Sequence, residues 1–368
     1  MTTEFTVFAG TTKGVFILKS PDRSDWAFSG PHCKDWPINH VTSDGDDVWA
    51  VGGNDWWGAG VWHSGDGGTT WDLTRLSRGQ LDNWLENEPE MAQMFGFGAA
   101  TDAPFSGELD ALWSIHMAGG RLFAGGKPGI LIVSDDRGKT WTKVTGLTNH
   151  ESRDTWNPGG AGMTLHTLIS DPNKPNKLWA AISAAGVFAS EDAGATWHRR
   201  NRISNADEAE IGHCVHNMVR APGDDDLLYM QNHHGVYRSP DGGHTWQNIT
   251  DGLPSDFGFP IMVSPLDPET VYTLPLLDPM NGRYPVGASA AVYRSRNGGL
   301  DWEKTQNGLP TENCYFTVLR QSMASDAADG LYFGTNSGSV FATYDRGDQW
   351  HEIASHLPTV LCVESRSR

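Results

Sequence analysis

Ser134-Asp135-Asp136-Arg137-Gly138-Lys139-Thr140-Trp141 encodes a tight turn. An Asp carboxylate accepts from backbone N–H groups two residues on, Gly supplies a φ > 0 position, and the Trp after the turn packs beneath it on the next strand. The pattern Ser-x-Asp-x-Gly-x-Thr-Trp also stands at Ser64–Trp71, Ser190–Trp197 and Ser239–Trp246. Looser copies are Ser20-Asp22-Trp26, one residue short, Ser295-Asn297-Gly299-Trp302, with Asn for Asp, and Thr343-Asp345-Gly347-Trp350. Seven copies of one turn mean seven copies of one structural unit.

Before several boxes stands a Gly-Val-aromatic run (Gly14-Val15-Phe16, Gly186-Val187-Phe188, Gly235-Val236-Tyr237), and before that another β-rich run such as Val48–Val51 or Leu178–Ala181. Each unit therefore holds four short strands. The mean spacing from Asp22 to Asp345 is about 54 residues, which suits one four-stranded propeller blade with its loops. The N-terminus supplies three strands (Phe5–Gly10, Gly14–Lys19, Trp26–Ser29), and an orphan strand, Pro358–Val363, ends the chain. Pairing the orphan with the first blade closes the ring and removes its free edges. The expected fold is all-β: one seven-bladed β-propeller over residues 1–368, with 73–110 and 145–163 as insertions that cover the channel mouth as a lid.

The boxes resemble those of the Asp-box, or bacterial neuraminidase repeat, superfamily of propellers. That superfamily includes sialidases, xyloglucan hydrolases with two propellers, sortilin-type receptors and single-propeller assembly factors of photosystem II. The resemblance implies the fold and leaves the function open. The chain shows no Phe-Arg-Ile-Pro segment and no evident arginine triad of the sialidase kind, and seven boxes do not fit that family's six blades. The xyloglucan hydrolases place their site between two propellers, and one is expected here.

Composition narrows the partners. The net charge of −18 opposes nucleic-acid phosphates and anionic membranes, and no apolar run is long enough for a membrane helix. The start lacks a basic and apolar leader, so a cytoplasmic chain is expected. Four scattered cysteines (Cys33, Cys214, Cys314, Cys362) read as reduced thiols, with Cys214 and Cys314 at matching repeat positions as buried filler. No Gly-rich phosphate loop is present, so no nucleotide cofactor is expected.

Propellers bind ligands where the innermost strands begin. Those starts carry His40, His116, His166 and His216 in four consecutive blades, with the register of His116 free by two residues. Repeat duplication could have copied a packing histidine. The alternative is a transition-metal site of four imidazoles, with iron first and copper or zinc next. Carotenoid-cleaving oxygenases offer an analogy in architecture, without sequence resemblance. Glu108, Asp110 and Asp35 lie just upstream as orienting or catalytic carboxylates. Trp36, Trp113 and Trp156 with Phe259, Tyr315 and Phe316 would line the substrate pocket, although Trp113 reads equally as core. His233 and His234, in the turn before Gly235, are expected to face solvent.

The first expectation is thus a metal-dependent enzyme acting on a small, partly apolar or aromatic substrate. The second is a non-catalytic scaffold or assembly factor that binds a protein partner. The third is a glycoside hydrolase using an Asp/Glu pair from Asp35, Glu108 and Asp110.

Overall fold

The computed structural model describes residues 4–100, 102–204, 207–211, 214–223 and 226–367. Among them, seven four-stranded antiparallel sheets form a ring, with one two-stranded ribbon (Arg202–Ser204 and Asp207–Glu210) outside it. The innermost strands of blades 1 to 7 are Val360–Ser367, Ile38–Asp44, Ala111–Ala118, Thr164–Asp171, Val215–Arg220, Gly258–Val263 and Met323–Ser325. Blade 1 combines both chain ends: Phe5–Thr11 pairs Val360–Ser367 from Phe5↔Ser367 to Gly10↔Cys362. The expected closure is present, with a closing strand longer than the orphan run.

Each box forms through its own side chains. In the third blade Gly138 N–H donates to Ser134 Oγ at 2.8 Å, Thr140 N–H donates to Asp136 Oδ1 at 2.8 Å, and Trp141 Nε1–H donates to Gly138 O at 2.9 Å. The corresponding Ser, Asp and Gly bonds recur at Ser64–Thr70, Ser190–Thr196 and Ser239–Thr245. These bonds hold the Asp66 and Asp136 carboxyls below the usual carboxylate range. The Asn copy keeps the geometry: Asp301 N–H donates to Asn297 Oδ1 at 3.0 Å. Two consecutive residues have positive φ, as at Arg137 (64°) and Gly138 (91°). The first lies in the left-handed region that other residues tolerate, whereas the second lies where a Cβ is strained.

Burial between blades supplies the core. One cluster joins Phe8, Val15 and Ile17 of blade 1 to Val41, Val48 and Ala50 of blade 2, with Trp36 buried among them. Box and core are tied together by indoles: Trp49 Nε1–H donates to Arg137 O at 3.0 Å, reaching the next blade's box, and Trp179 does the same to Gly242 O at 2.9 Å.

The antiparallel order fixes two faces. Box turns, between third and fourth strands, lie on one face. Loops into each innermost strand, and loops between second and third strands, lie on the other, which carries the channel mouth. The insertion after Asp72–Arg75 contains helices Gln80–Asn87 and Pro89–Met94, with Leu81, Leu85 and Ala92 packed together.

Gly138→Ala is predicted to destabilise the protein by about 1–3 kcal/mol, because Ala cannot relax at φ near 91°. Arg137→Gly should stay within about 1 kcal/mol of the parent. Denaturant unfolding of the two variants checks the difference.

Candidate ligand site at the channel mouth

The innermost strands share an irregularity near their starts. Register shifts skip Asn39 in blade 2, Trp113 in blade 3, His166 in blade 4, His216 in blade 5, and Phe259 with Pro260 in blade 6. A bulge of this kind takes backbone groups out of the ladder, and a buried carbonyl then needs another donor. The neighbouring blade provides it. Cys362 Sγ lies 3.6 Å from Ile38 O, Asn39 Nδ2–H donates to Leu112 O at 2.7 Å, and Ser114 Oγ–H donates to Leu165 O at 2.8 Å. His166 Nε2–H then donates to Val215 O at 2.8 Å, and His216 Nδ1–H to Gly258 O at 2.6 Å. Every acceptor is the residue just before a bulge.

This geometry corrects the four-histidine expectation. His166 and His216 occupy bulge positions, but the equivalents in blades 2 and 3 are Asn39 and Trp113, so His40 and His116 stand one and three residues farther along. His40 Nδ1 accepts from Ile115 N–H at 3.0 Å, and His116 Nε2 bonds Ser170 Oγ at 2.8 Å. Both line an axial cavity of about 320 Å³ that also includes Gln321 and Glu364. His216 faces a different cavity, at the mouth, and His166 is enclosed with both ring nitrogens bonded. The imidazoles join blades and do not converge.

The mouth cavity, about 440 Å³, lies between blades 4 and 7. Gly159, Gly160 and Ala161 of the 145–163 loop form one wall, and Phe257 and Phe259 form another. Cys214, His216, Asn232, His233, Arg283 and Arg320 supply its polar atoms. His216 Nδ1 is committed to Gly258, which leaves Nε2 turned toward His233 Nδ1 at 3.3 Å and Cys214 Sγ at 3.7 Å. Burial and the Arg320 charge hold His216 well below the usual imidazole range, and burial, with the Arg283 charge adding to it, lowers Arg320 itself to about 10.

Of the expected substrate residues, Phe259 lines this cavity. Phe316 is buried in the core between blades 6 and 7. Neither Tyr315 nor Phe316 starts the innermost strand of blade 7, which begins at Met323. Tyr315 is 65% exposed and meets the Tyr284 ring at 5.1 Å, beside Arg283. Trp36 stacks on Trp57 at 5.8 Å and Trp156 packs on Phe188 at 5.1 Å, both in the core, while Trp113 is half-buried outside the cavity lining. Asp35, Glu108 and Asp110 are exposed and line neither cavity, and Glu108 is ion-paired with Lys143. Sequence reading missed Arg320, Asn232 and Arg283 because they carry no motif, and it placed His233 in solvent because its turn is short.

Fold and boxes together define an Asp-box β-propeller. Residues 132–143 match the BNR/Asp-box repeat. The chain is 22% identical over 275 residues to a xyloglucanase of Hypocrea jecorina, covering 74% of this chain and 30% of that protein. It is 25% identical over 238 residues to a xyloglucanase of Paenibacillus sp, covering 55% of this chain and 21% of that protein. The chain thus spans less than a third of the length of these curated relatives. Among solved structures, the GH74 xyloglucanase from Xanthomonas campestris superposes with a TM-score of 0.60 at 16% identity, over 95% of this chain and 52% of that one. YCF48 from Cyanidioschyzon merolae gives 0.52 at 12% identity, over 86% and 85%. These relatives replace the metal-dependent enzyme with the glycoside hydrolase as the better-supported expectation.

The axial groups give a pH signature. Burial lowers His40 and His116 to about 4 and His166 to about 3, and it raises Glu364 to about 8. Between these values and 6.5 the unfolded state holds protons that the native imidazoles refuse, so stability is full above 6.5 and lost as pH falls. Glu364 acts oppositely: its contribution is full below 4.5 and lost as pH rises through 8. Stability is predicted to peak near neutrality. The acid limb should slope by up to roughly 1.4 kcal/mol per pH unit for each histidine. Glu364→Gln should flatten the limb from 6.5 to 8, as measured by denaturant melts across pH; an unchanged limb would refute this assignment.

Proposed function

We propose that this chain is a carbohydrate-binding propeller of the glycoside hydrolase kind, which seats a sugar unit in the mouth cavity between blades 4 and 7. The alignment with the Hypocrea jecorina xyloglucanase over 74% of the chain carries the reading. The cavity supports it. Its volume suits a sugar ring or two, and Phe257 and Phe259 offer an apolar wall against which a ring face can lie. Exposed Tyr315, braced by Tyr284, the chain neighbour of the lining residue Arg283, offers a second ring surface for an outer unit.

Acid and base work needs two carboxyl groups flanking the bond. None of the thirteen lining residues is acidic. The reading therefore gives this cavity the task of holding a sugar.

The test is calorimetry with xyloglucan oligosaccharides and a panel of neutral and acidic glycans, alongside a reducing-end assay. At least one glycan should bind saturably. Tyr315→Ala should weaken binding of an oligosaccharide about fivefold, the equivalent of one aromatic contact near 1 kcal/mol. A panel with neither binding nor release of reducing ends would overturn the proposal.

A further inference from the structure

The mouth cavity is cationic in a chain of net charge −18. Its formally charged lining residues are Arg283 and Arg320. Arg320 reaches it from the loop into blade 7, with its guanidinium carbon 4.8 Å from the Phe259 ring centroid. Its Nε has no hydrogen-bond partner, and among the described residues no carboxylate pairs with the guanidinium. An enclosed guanidinium without a counter-charge is costly, and arginine cannot relieve the cost by losing its proton at neutral pH.

A second unpartnered donor belongs to another residue lining the same space. Asn232, only 1% exposed, accepts from His234 N–H through Oδ1, while its Nδ2 has no partner. Buried donors are nearly always satisfied, and these two belong to residues that line one cavity, so an acceptor seated there would supply the partner they lack. The missing group accepts hydrogen bonds, carries negative charge and is small enough to reach both donors. Carboxylate and phosphate oxygens fit that description, and a guanidinium holds either in paired fashion.

Cys214 Sγ, His216 Nε2 and His233 Nδ1 lie within 4.8 Å of one another in the same cavity, a donor set suited to a soft metal ion. The fixed charge of Arg320 beside them opposes a cation and favours an anion, and this decides between the two chemistries.

We propose that the mouth cavity binds an acidic sugar, one bearing a carboxylate or a phosphate, with Arg320 and Asn232 donating directly to the anionic group and Arg283 adding charge at the rim. This rests on the sugar-binding reading above and names the substrate class it leaves open. Anion affinity makes neutral glycans the poorer ligands and makes binding weaken with salt.

Calorimetry on the chelator-washed full chain tests this with galacturonate, glucose 6-phosphate, glucose, acetate and inorganic phosphate. The variants are Arg320→Met and, because that residue is enclosed, also Arg283→Met at the exposed rim, each checked for folding by circular dichroism. At least one charged sugar should bind about tenfold or more tighter than glucose, and Arg320→Met should abolish that preference. Arg283→Met should lower the charged sugar's affinity about threefold and make it less sensitive to salt. Galacturonate against glucose 6-phosphate tells carboxylate from phosphate. Glucose binding as tightly as both charged sugars, or a preference indifferent to both substitutions, overturns the anionic-group assignment while leaving sugar binding intact. Acetate or phosphate binding as tightly as every sugar sustains the anion site and overturns its sugar ligand. Binding that appears only after zinc or copper is restored overturns direct donation by Arg320 and Asn232.

Discussion

The ring depends on how each blade's bulge is repaired by its neighbour. An innermost strand that bulges near its start leaves a carbonyl without a ladder partner, and a side chain of the preceding blade bonds it. Asn39, Ser114, His166 and His216 perform this in sequence from blade 2 to blade 6, and the Cys362 thiol stands opposite Ile38 O where the two chain ends meet. Apolar packing between blades supplies most of the burial, but packing alone does not fix register. These polar clasps do, because a slip of one residue would leave a buried acceptor open.

That constraint also explains the mouth. Spent on Gly258 through Nδ1, His216 presents one determined nitrogen to the cavity. Gln321 reaches across the axis to His166 O, and Asn217 bonds Arg320 O at 2.7 Å, so the segment bearing Arg320 is anchored to blades 4 and 5. The guanidinium is thus held by a rigid ring, and its position follows from the channel architecture.

The fold was legible because the Asp box is a local device: its Ser, Asp, Gly and Trp interact within eight residues, so spacing alone identifies each copy. The closing strand was legible because the first blade lacked a strand. The site was less so. Matching strand starts by eye put His40 and His116 in register with His166 and His216, but bulges shift the true equivalents to Asn39 and Trp113. A bulge carries no composition signal in these strands. Tryptophans sought at the mouth went to the core because indoles bury more area between blades than any rim offers, as Trp36 and Trp156 show. Arg320 and Asn232 acquire meaning from what they lack, and a missing partner is visible only in three dimensions.

The claim that the channel imidazoles are neutral structural clasps is tested most directly by following the His166 ring nitrogens by nitrogen-15 NMR from pH 8 to 4.5. The account predicts a single neutral tautomer protonated at Nε2, unchanged across that range, because Val215 O holds the proton and burial lowers the group to about 3. Titration near 6.5, or an Nδ1-protonated ring, would contradict it.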